Sequence, residues 1–143
     1  MEVQIRKTFY KAFSDKINDT VNSNTPDFDW IVVLYKEIKE RLIQYVKKDS
    51  KVYERIDEAF DVILFEQMIR NNAFDEKSML SLITVTYYWI YNLQAPIRDE
   101  ETDKSKERVL KSEPSQRIST FIIEVNRCID NIDTDLKYII NNK

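Results

Sequence analysis

Residues 79–97 read MLSLITVTYYWIYNLQAPI, nineteen positions without one charged side chain. That length is close to a membrane span. Ser81, Thr84, Thr86, Asn92 and Gln94 dilute the run, however, and Tyr87, Tyr88, Trp89 and Tyr91 gather in its middle. Aromatic side chains of membrane helices collect instead at the two interfaces. The acidic run Asp99-Glu100-Glu101 follows at once, with Arg98 as the only basic flank. Ile83–Tyr91 also has strand propensity. A lone strand in a helical chain would leave its backbone groups unpaired, so helix is the better reading. The segment is therefore expected to be a bundle helix covered by its neighbours, with 79–93 central and buried, and not a transmembrane segment.

On the N-terminal side, helices are expected over three stretches. Residues 3–22 carry Ile5, Phe9, Phe13, Ile17 and Val21 in steps of four, a slowly drifting helical stripe. Arg6, Lys7, Lys11 and Lys16 make this helix basic, which raises a membrane-surface alternative. Glu2 and Asp15 interrupt that charge, and the wide stripe favours the bundle. The second helix starts after Thr25, the expected cap, with Pro26 at its first position, and runs to about Lys47. Its seam is Phe28, Ile31, Tyr35, Ile38, Leu42 and Tyr45, in steps of three and four. A third helix is expected from Asp49 or Ser50 to about Asn71, and Asp75 caps the next.

On the C-terminal side, residues 98–117 are mostly charged, with Val109 and Leu110 their only large apolar pair. This stretch is expected to be exposed or mobile, with a short helix inside it. Pro114 separates it from a last helix over 115–141, whose seam is Ile118, Phe121, Val125, Ile129, Ile132, Leu136 and Ile139. The architecture is thus an all-α antiparallel bundle of five to six helices in a single domain, residues 1–143.

Composition removes several function classes. The 143-residue chain has no Gly, no His and one cysteine, Cys128. Without Gly there is no phosphate-cradling loop and no dinucleotide fingerprint. Asn is left to supply left-handed positions, at Asn71, Asn72, Asn141 and Asn142. Without His there is no Cys/His zinc site and no Ser-His or Cys-His catalysis of the usual kind. Cys128 has no basic, titratable neighbour to activate it and reads as a packing residue. The net charge of −3 gives no basic field for nucleic acid. Abundant Ile, Lys and Asn with few Ala, Pro and Gly read as a low-GC coding bias, of the kind found in large DNA viruses and AT-rich cells. The lone Cys is compatible with a reducing, cytoplasmic setting.

Several short stretches, in order, resemble the T-complex protein 11 family. Asp29-Trp30 and Leu34–Leu42 look like that family's opening helix, and Ile56–Asp61 like its following acidic-apolar helix. The most specific piece is Leu93-Gln94-Ala95-Pro96-Ile97-Arg98-Asp99-Glu100, similar to the family's Leu-Cys-Ala-Pro-Val-Arg-Asp-Glu, with Gln94 in place of the Cys. Asp130–Asn141 loosely matches a later family helix. The family-like region covers about residues 28–141, as a truncated or minimal version of the N-terminal part. The resemblance implies an all-helical fold and regulation by protein contact. Some members are linked to cyclic-AMP and protein-kinase-A signalling, including in sperm.

The candidate contact motif is Pro96, Arg98, Asp99 and Glu100. Its charges form either a docking patch or local caps and pairs at a Pro-marked helix junction, and the second reading is favoured. Two carboxylate clusters, Asp57/Glu58/Asp61 and Asp99/Glu100/Glu101/Asp103, raise a metal-dependent enzyme as an alternative. Di-metal bundles combine such carboxylates with Glu-x-x-His pairs, which this chain lacks. The expectation is a non-enzymatic interaction domain with no cofactor and no metal, binding a protein partner or a second copy of itself.

Overall fold

The computed structural model describes residues 2–24 and 26–141, with residues 2–10 described for their backbone alone. The described residues form an all-α bundle of seven α-helices and no strand. They are α1 (Glu2–Val21), α2 (Phe28–Ile43), α3 (Lys51–Ala59), α4 (Val62–Arg70), α5 (Glu76–Leu93), α6 (Asp99–Lys111) and α7 (Arg117–Asn141). Short 3-10 turns, Pro96–Arg98 and Pro114–Gln116, precede α6 and α7, each with Pro at its first position.

The helices start where short polar side chains can cap them. Ser50, Asp61 and Asp75 accept the backbone N–H of Tyr53, Leu64 and Ser78. Asp27 takes the N–H of Trp30 and is the cap of α2; Thr25, expected there, lies outside the described residues. The single helix expected over 50–71 is in fact two. At Phe60 and Asp61 the backbone leaves the helical region, which drives Phe60 fully into the core and frees Asp61 to cap α4. Asn72 alone among the described residues has positive φ, at 55°, as an Asn after a helix end allows. The side chains of Ile5, Arg6, Lys7 and Phe9 lie outside the described residues.

Helix α7 is the hub, packing against α1, α2, α5 and α6. Its seam is buried from Phe121 through Val125, Ile129 and Ile132. Helix α1 runs antiparallel to it, with Asn18 accepting from the Ser119 hydroxyl at 2.6 Å and Asn22 donating to the Ser115 carbonyl at 3.0 Å. The stretch 98–117 holds a regular thirteen-residue helix, α6. Small Thr102 and Ser105 let it lie close on α7, and Val109 is fully buried.

Helix α5 buries Met79, Ile83, Thr86, Tyr87, Trp89 and Ile90 against α2, α6 and α7. The uncharged pattern overstates its enclosure, because Leu80 and Tyr88 are more than half exposed. Buried polar groups on this helix are satisfied. Thr86 donates to the Leu82 carbonyl, and the Tyr87 hydroxyl lies 2.8 Å from Ser105 Oγ.

Candidate functional site

The motif Pro96–Glu100 sits at one end of the bundle, between α5 and α6. Pro96 cannot continue α5, so the chain turns and re-enters a helix. Arg98 then reaches across to α7. Its Nε and Nη2 donate to the two carboxylate oxygens of Asp135 at 3.0 and 2.8 Å, and its Nη1 donates to Glu101 at 3.0 Å. Bidentate pairing fixes both side chains, and both are about three-quarters covered. The Arg98 hydrogen bonds hold the Asp135 carboxyl below the usual carboxylate range. Asp99 accepts from Gln94 Nε2 at 2.8 Å, and Gln94 Oε1 accepts from the buried Thr102 hydroxyl at 2.6 Å. Glu100 points outward and lies 3.8 Å from Lys104.

Two members of the motif, Arg98 and Asp99, are therefore tied into the fold, while Pro96 and Glu100 remain at the surface. The most exposed large apolar residue there is Ile97, at 89%. The sequence reading has Ile97 inside the motif but names only Pro96, Arg98, Asp99 and Glu100 as candidate contacts.

The α7 seam continues past the last residue that the bundle covers. Ile132 is buried, but Leu136, Ile139 and Ile140 are 40%, 50% and 69% exposed. Asp135 is one turn before Ile139 on the same side of α7, so the Arg98 clamp ties the Pro96–Arg98 turn to α7 just ahead of that overhang. On the other flank Tyr45 donates to Asp133, and Arg41 donates to Asn126, Asp130 and Asp133. Burial opposes ionisation of Asp133, but the hydrogen bonds from Tyr45 and Arg41 outweigh it and lower its pKa.

The carboxylates suspected of metal binding have local partners. Asp57 pairs with Lys39 at 2.9 Å, Asp61 caps α4, Asp103 accepts from Tyr91, and Glu101 pairs with Arg98. Among the described residues no three acidic or Cys side chains converge on a common point. Glu124 is nearly buried and receives both Nε and Nη2 of Arg108 at 2.9 Å. Cys128 is buried beneath Ser105, and desolvation raises its thiol pKa, the opposite of an activated nucleophile. No described helix is long and apolar enough to cross a membrane.

A seven-helix bundle with a Pro-turn motif clamped onto its last helix is a helical domain with a built end-surface. A family model described as T-complex protein 11 matches residues 1–136, and this chain belongs to that family. It is similar to human T-complex protein 11 homolog, at 30% identity over 105 residues, which is 73% of this chain and 20% of that protein. Human T-complex protein 11-like X-linked protein 1 is 28% identical over 109 residues, covering 73% and 20% of the two chains. Mouse T-complex protein 11 is 27% identical over 106 residues, covering 71% and 18%. The chain thus spans about a fifth of the length of the curated relatives it matches. No solved structure matches it.

Proposed function

We propose that this chain is a non-enzymatic protein-interaction domain that binds a helical partner through the end-surface formed by Pro96, Ile97, Glu100 and the last two turns of α7. The observation that carries this reading is the α7 seam, which outruns its own bundle and leaves Leu136, Ile139 and Ile140 exposed on the helix to which Arg98 ties the Pro96–Arg98 turn. Soluble proteins seldom expose contiguous apolar surface without a use for it. An apolar i, i+3, i+4 face is the kind that a second helix covers. Arg98 is a positioning residue in this scheme, since it holds the turn against α7 through Asp135. Glu100 at the rim adds charge selectivity more than affinity. Regulation by contact, in the cytoplasm, is the role this reading assigns, and a signalling role of the family kind is part of the same proposal.

The experiment compares the tagged wild-type chain with Ile97→Asp and Ile139→Asp in quantitative capture from a lysate of cells expressing it. A partner held by the wild type and lost by both variants supports the end-surface. Identical capture by all three removes it. A second copy is the other candidate occupant, and sedimentation equilibrium of wild type and Ile139→Asp across a wide concentration range reads that case.

A further inference from the structure

A cavity of about 190 Å³ lies away from the end-surface, between α2, α4, α5 and the start of α7. Its floor is made of buried Ile31, Tyr35, Phe65, Met79 and Phe121, and its rim includes Leu82, Ile118, Phe74 and Asn72. We infer that this cavity is a binding site for a small, neutral aromatic molecule of one or two rings that carries a single hydrogen-bonding group, of the phenol or indole class.

Size comes first. Well-packed interiors leave few voids larger than a water molecule. An apolar cavity of roughly 150 Å³ stays dry and takes up benzene. The present one is of that scale, opens at a half-exposed rim, and offers room for a flat ring with one substituent. Chemistry comes second. Among the described residues no charged side chain lines it, so a charged ligand would be desolvated without a counter-charge from them. Its walls are rich in rings. Tyr35 and Phe65 are stacked with centroids 4.0 Å apart and planes 6° apart, and Phe74 meets Phe65 edge-on at 5.3 Å. Burial pushes the Tyr35 phenol up to about 12, so it stays neutral across the physiological range. The mouth supplies a second polar group beside the Tyr35 hydroxyl. Asn72 is exposed there, in the left-handed turn between α4 and α5, and its side-chain amide can both donate and accept. A mostly apolar lining with a few placed polar groups is how small-molecule pockets fix orientation.

The test is a two-dimensional NMR titration of the intact chain with indole and with toluene. Leu82→Trp and Ile118→Phe each fill the cavity from its rim, and Asn72→Gly keeps the left-handed backbone without the amide. Saturable shifts confined to α2, α4, the α4–α5 turn, the first turns of α5 and the first turns of α7 are expected for wild type with both probes. Whichever filled variant retains the wild-type circular dichroism spectrum and melting temperature should lose them. Asn72→Gly should weaken indole by about threefold to tenfold, the worth of one hydrogen bond, and leave toluene unchanged. Shifts that never saturate up to the solubility of indole, or that persist in a folded filled variant, overturn the site. Equal weakening of indole and toluene in Asn72→Gly overturns the role of the amide.

Discussion

Replacing Arg98 by Met separates a clamp from a docking charge. Met keeps much of the apolar stem and removes the guanidinium, with its two bonds to Asp135 at 3.0 and 2.8 Å and its bond to Glu101. A hydrogen bond to a charged group is worth about 1.5–3 kcal/mol when well covered. Both members of the Arg98–Asp135 pair are about a quarter exposed, so solvent screens part of this. A loss of about 2 kcal/mol at pH 7 is the expected size, or roughly 6–8 °C in melting temperature for a chain of this length. The pH dependence carries a sign. Arg98 holds the folded Asp135 pKa below its ordinary value. A depressed carboxylate pKa stabilises the fold above the unfolded value, near 3.9, and the benefit is lost as pH falls through the folded pKa. The gap between wild type and Arg98→Met should therefore be full at pH 7 and shrink below about pH 4. Urea denaturation followed at 222 nm, at several pH values, measures both. Equal midpoints at pH 7, or a gap that does not narrow in acid, would refute the clamp and return Arg98 to the docking surface.

Further outcomes follow from burial and partners. Ile90→Ala should cost about 3 kcal/mol because Ile90 is fully enclosed, whereas Tyr88→Ala on the open side of α5 should stay within about 0.5 kcal/mol in the same urea experiment. Asp61→Ala should cost about 1 kcal/mol by uncapping α4, with hydrogen exchange faster over 62–65 and unchanged in α7. Cys128 should react with a thiol reagent far more slowly in the native chain than in urea, since burial raises its pKa and α6 covers it. Arg108→Ala should destabilise the fold by about 2 kcal/mol, as Glu124 is left nearly buried with only the longer 3.5 Å contact to Arg127, and Arg108→Lys should restore part of it.

Much of the fold was legible because local chemistry and periodicity agreed. Asp75, Pro96 and Pro114 marked helix junctions, and the step of three and four in α7 traced its buried seam as far as Ile132. The break at Phe60–Asp61 was hidden because the apolar period runs through it, although Asp61 before Val62 is a cap signature. The openness of α5 at Leu80 and Tyr88 was hidden as well, since an uncharged helix looks the same whether three sides or four are covered. The candidate site depended on partners 37 residues apart, Arg98 and Asp135, and no local pattern encodes such a pairing. The family-like motif singled out Pro96, Arg98, Asp99 and Glu100 as candidates. It missed Ile97 and the α7 overhang, which acquire meaning only once the ends of the neighbouring helices are known.

The proposed binding of another protein at the end of the bundle that carries Ile97 and Ile139 is open to direct test. Its most direct measurement is quantitative capture by the wild-type chain, by the Ile97→Asp/Ile139→Asp double variant, and by Ile63→Asp, which alters an exposed apolar residue on α4. All three should melt within about 4 °C of one another, as each exposed site tolerates substitution to within about 0.5 kcal/mol. Proteins should be retained by wild type and Ile63→Asp and be absent from the double variant. Retention of the same proteins by the folded double variant would contradict the proposed binding.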